Sequence, residues 1–94
     1  MTTTAIQFLN EIADVIRAKG RAVEITETEE SFGTFVWMYV PATHWYDRAM
    51  TFSAVKSNRT GKWSMGVLVV TNTDGKAIKA DTRNSIRRVA SVYA

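Results

Sequence analysis

Chemistry in this chain would have to begin at a single histidine. His44 stands three residues before Asp47. With one of the serines, that spacing could supply an acid–base couple or part of a nucleophilic triad. Nothing around it completes such a device. There is no Gly-x-Ser-x-Gly elbow, no second histidine and no pair of carboxylates at a recognisable spacing. With no cysteine and one histidine, the three or four ligands of a zinc site are not at hand. Gly61-Lys62 and Gly75-Lys76 are Gly-Lys pairs in hairpin turns, and neither has the spacing of a phosphate loop ahead of a helix. The expectation is a protein that binds without catalysing, and without cofactor or metal.

Two sets of residues could do the binding. The first is cationic: Lys56, Arg59 and Lys62 about one hairpin, Lys76 and Lys79 ahead of the last helix, and Arg83, Arg87 and Arg88 upon it. Exposed cations in this pattern neutralise phosphates, so a nucleic acid is the first partner to consider. A solvated helix face is the alternative, and Arg87 and Arg88 also suit the C-terminal half of a helix, where the dipole favours positive charge. The second set is aromatic. His44, Trp45, Tyr46 and Arg48 are residue types enriched at the centres of protein interfaces, although such a loop can also fold back as a lid over the core.

Charge is divided unevenly. Residues 1–47 hold seven acidic and three basic side chains, a net −4, and residues 48–94 hold nine basic and two acidic, a net +7. That split fits a polyanion-binding half, or two halves that attract each other within one chain or between chains. The 94 residues have room for one domain and one core. The absence of cysteine fits a reducing cytoplasm, the Met1–Thr4 start lacks the pattern of a secretion signal, and no apolar run approaches the roughly 20 residues that span a bilayer. A cytoplasmic protein without membrane contact is expected.

The elements that would carry these residues follow from periodicity. Thr4 and Gln7 form a capping box, and Ala5, Phe8, Leu9, Ile12, Val15 and Ile16 make one helical stripe over residues 4–19, closed by Gly20. Strands are expected over residues 21–28, 32–40, 49–56 and 62–71, with a short edge strand at 76–79. The acidic run Glu27–Ser31 reads as a turn, Asn58–Gly61 as a hairpin, and 72–75 as another turn. A last helix opens at Asp81 and buries Ile86, Val89, Ala90 and Tyr93. The fold class is α+β in the order α-β-β-β-β-α: a four-stranded antiparallel sheet, with or without a fifth edge strand, and two helices on one face. The order resembles that of the double-stranded-RNA-binding domain in topology alone, with one strand more. Lys76, Lys79, Arg83 and Arg87 stand for that family's basic start to the second helix.

Two helices cover one side of such a sheet, yet both sides are apolar. In the second strand Phe35, Trp37 and Tyr39 face one way and Val36, Met38 and Val40 the other. Strict alternation in the fourth strand sets Trp63, Met65, Val67 and Val69 against Leu68 and Val70. The surplus is expected on Val36, Met38, Val40, Leu68 and Val70, as a face for a partner or for a homodimer. Two readings result. The first is a nucleic-acid-binding module that uses the basic hairpin and last helix. The second is a protein-binding inhibitor or adaptor, such as a phage- or plasmid-encoded protein directed at a host defence protein, that uses the apolar face and the aromatic loop.

Overall fold

A computed structural model describes residues 4–42, 48–71 and 75–94. Helix α1 spans Ala5–Ala18, and six strands follow: β1 (Glu24–Glu30), β2 (Gly33–Val40), β3 (Ala49–Ser57), β4 (Trp63–Met65), β5 (Leu68–Thr71) and β6 (Ala77–Ala80), before helix α2 (Arg83–Tyr93). All pairings are antiparallel, in the order β1-β2-β3-β5-β6, with β4 also beside β3. The α+β class and the helices at both ends are as the periodicity implies; the sheet has one or two strands more.

α1 starts where local chemistry says it should. The Thr4 hydroxyl accepts from the Gln7 amide, and the Gln7 side chain accepts from the Thr4 amide at 3.0 Å. Gly20, at φ +89°, takes the left-handed turn after the last residue of the helix. α2 opens one residue later than expected. Thr82, not Asp81, is its cap, in a reciprocal pair with Ser85. β1 runs through the acidic segment taken for a turn, and the chain reverses instead at Ser31-Phe32. Asn58 donates its amide to the Phe32 carbonyl, which ties that turn to the next one.

The long fourth strand is interrupted. Pairing with β3 runs Ala54 to Met65 on one side of the break and Thr51 to Val69 on the other. Those registers differ by one residue, so Ser53 faces both Gly66 and Val67, and Ser53 accepts from the Gly66 amide at 2.9 Å. This is a β-bulge. It shifts the phase of the alternation, so Met65 and Leu68 lie on the same side of the sheet. Strict alternation, which sets Met65 opposite Leu68, fails at this point.

Both helices pack on the side carrying Val36, Met38 and Val40 of β2, Met50, Phe52 and Ala54 of β3, and Leu68 and Val70 of β5. Phe8 of α1 meets Phe52 edge-on at 6.1 Å between ring centres. The helices run parallel. Arg83 and Arg87 lie over Phe8, Arg87 pairs with Glu11, and Arg21, just past α1, reaches Tyr93 at the end of α2. Among the described residues no helix is long and apolar enough to cross a membrane.

Candidate functional site

The face expected to bind a partner is the one the helices cover. Val36, Met38, Val40, Leu68 and Val70 are all buried, the last four with no exposure. They are core residues of this chain, which corrects the sequence-based expectation. The reason lies in β3. Its apolar row, Met50, Phe52 and Ala54, pairs in register with Val40, Met38 and Val36, and one continuous apolar layer under the helices results.

The opposite face is open. No described element packs on it. Register places Phe35, Trp37 and Tyr39 of β2 there, beside Val55, Ser53 and Thr51 of β3. Phe35 and Trp37 stack at 5.4 Å with their planes 22° apart. Trp37 keeps 40% and Tyr39 37% of its surface, and Val67, at the bulge, keeps 42%. At Gly66 the Ser53 hydroxyl occupies the place that a Cβ would take. Glu24, Thr26, Thr28 and Glu30 of β1 border the aromatic row on one side, and Lys79 of β6 closes the face on the other. A surplus of apolar sheet surface therefore exists, on the aromatic side and not on the aliphatic side.

The eight expected phosphate-binding cations do not form one surface. Lys62 and Arg83 come together in an open cleft of ≈ 700 Å³, with Thr4, Ala5, Trp63 and Met65 also lining it. The N-terminal ends of both helices point to this end of the molecule. Arg59 and Lys56 are exposed on the same hairpin. Arg87 has a different occupation. Its guanidinium binds the Glu11 carboxylate at 2.9 and 3.4 Å and lies 5.0 Å from the Phe8 ring centre, with Arg83 at 5.2 Å from the same ring. Hydrogen bonding to Glu11 holds the Arg87 pKa above the ordinary arginine value, against a smaller opposing effect of desolvation and with a still smaller aid from the Glu11 charge. A raised pKa in a cation means that the Arg87 charge is fully present below the ordinary value and is lost only as pH rises through the raised one. Arg88 lies away from the cleft, beside Asn84 and Ser85, and Lys79 belongs to the open sheet face. Lys76 lies just before β6.

His44, Trp45 and Tyr46, expected as partner contacts, and Asp47 lie outside the described residues. Arg48 is turned inward to its own chain. Its guanidinium sits 4.9 Å from the Tyr93 ring centre. Arg21, which the sequence reading did not single out, donates to the carbonyls of Tyr93, Pro41 and Arg48 at 3.1, 3.0 and 2.8 Å. One side chain thus joins the end of α2, the end of β2 and the approach to β3. Its partners are up to 72 residues away, and no local pattern announces them. Among the described residues no three histidine, cysteine or acidic side chains gather as a metal site would require.

No protein-family model, curated protein or solved structure matches this chain. The function must be read from the surface itself.

Proposed function

We propose that the chain is a non-catalytic protein-binding module that docks through the open face of its sheet. The observation that supports this reading is the uncovered row Phe35, Trp37 and Tyr39 on a regular, paired strand. Aromatic side chains on a rigid strand offer large contact area at little entropic cost, and interface hot spots favour Trp and Tyr. An aromatic sheet face can also stack nucleobases. Here Glu24 and Glu30 stand beside the row and would repel the phosphates that accompany such bases. A protein surface is the partner that suits this face.

The experiment is affinity capture from the cell in which the protein is native, with wild type and Trp37→Ser compared. The indole is partly exposed, so the variant should fold with unchanged far-UV circular dichroism and lose the captured protein. Retention of the same protein by Trp37→Ser and by Tyr39→Ser would exclude docking here.

A second reading, polyanion binding, is favoured by one observation: the cleft where Lys62 of the hairpin meets Arg83 of α2. Titration with single-stranded and duplex oligonucleotides at several salt concentrations tests it.

A further inference from the structure

Resting on the reading of the open face as a docking surface, we infer that its occupant is a second copy of the same chain, with a two-fold axis along β3. One row across the sheet gives the reason. Pairing links Glu24 to Tyr39, Tyr39 to Thr51, Thr51 to Val69 and Val69 to Lys79. The row therefore reads acidic, aromatic, small polar, aliphatic, basic. It is complementary to its own reverse about the middle residue. A two-fold axis parallel to β3, in the plane between two stacked sheets, reverses the strand order but keeps the level along the strands. Glu24 of each copy then lies over Lys79 of the other, Tyr39 over Val69, and Thr51 beside its own mate.

The next row agrees. Thr26, Trp37 and Ser53 stand at one level, and the bulge at Gly66-Val67 occupies the place beyond Ser53. The same rotation seats the Trp37 indole over the bulge, where the exposed Val67 supplies apolar contact. An axis across the strands would instead stack β1 on β1 and set Glu24 and Glu30 against like charges. Charge thus selects one of the two face-to-face dimers. Area permits it as well. The tracks of β1, β2, β3 and β4–β5, each about 25 Å long, and β6, about half that, stand about 4.8 Å apart and present roughly 540 Å² per copy, about 1,100 Å² in total, which is above the roughly 1,000 Å² that a specific interface needs.

Sedimentation equilibrium from micromolar to sub-millimolar protein tests this. The expected result is a dimer that dissociates about tenfold more readily in Glu24→Lys and in Lys79→Glu, because each change opposes like charges at two symmetric places. The exchanged double variant Glu24→Lys/Lys79→Glu should recover wild-type affinity. Thr51→Arg, which sets two cations at the axis and leaves the aromatic residues themselves unchanged, should give a folded monomer. A wild-type monomer throughout the range, or a dimer indifferent to the charge changes, overturns the proposal. The docking reading separates cleanly. A monomer that still captures another protein through Trp37 sinks only the self-pairing, whereas a dimer that survives Trp37→Ser, with capture also intact, sinks both.

Discussion

A single side chain, Arg21, ties the end of α2 to the end of the β2–β3 ladder. Its guanidinium meets carbonyls of Tyr93, Pro41 and Arg48, and the planar fork of arginine suits that divergent set. The Tyr93 carbonyl belongs to the last turn of α2, where a cation also opposes the negative end of the helix dipole. Removal of the donor leaves three partly buried acceptors to whatever water can reach them. Arg21→Ala should therefore cost about 2 kcal/mol, read as a lower urea midpoint at unchanged slope. Arg21→Lys, a point charge that satisfies fewer carbonyls, should recover less than half of that loss. If Arg21→Ala unfolds like wild type, the three contacts contribute nothing net. Such a residue is invisible to a sequence reading because its role depends on where the chain returns, not on its neighbours.

Among the elements, the ones that were legible are those whose signals are local. α1 carries a complete cap, a 3.6-residue stripe and a closing glycine, and it forms within one residue of the expected bounds at either end. The covered side of the sheet was not legible. β2 is apolar on both sides, so the choice between Phe35-Trp37-Tyr39 and Val36-Met38-Val40 depends on how β3 pairs, and a slip of one residue would reverse it. Gly66 was a missed clue. A glycine inside a strand pattern often marks a bulge, and here it brings Trp63 and Met65 to the same side as Leu68 and Val70. Deletion of Gly66 removes the extra residue of the bulge, so Met65 and Leu68 stand two positions apart and regular pairing with β3 keeps both pairs in the core. A folded variant with cooperative unfolding and a loss below about 2 kcal/mol is expected in thermal melts followed by circular dichroism. Gly66→Ala makes the contrast. Its Cβ crowds the Ser53 hydroxyl, which can rotate aside, so the cost should be about 1 kcal/mol and should fall when Ser53→Ala is added. A deletion variant that loses cooperative unfolding would show that the bulge itself is needed to seat both pairs.

Across the whole molecule, the charge split of the sequence becomes a separation in space. The acidic strand β1 is one edge of the sheet, while the cations lie on the far edge, the β3–β4 hairpin and α2. The halves also meet directly, through Glu11 and Arg87. This arrangement limits what a polyanion could gain. At the Lys62–Arg83 cleft a phosphate backbone could engage those two residues with Arg59 and Lys56 beside them, and no more than four counterions would be released. The logarithm of affinity should then fall with the logarithm of salt at a slope of about −2.7 to −3.6, a loss of roughly 40- to 150-fold for a fourfold rise in salt. Lys62→Ala should reduce the slope by about 1, whereas Arg87→Ala should leave it unchanged, because that guanidinium is engaged by Glu11. A slope much steeper than −4 would mean that cations outside the cleft take part, and with them a different docking of the strand. No binding at low salt would remove the polyanion reading and leave the proposed docking through the open aromatic face.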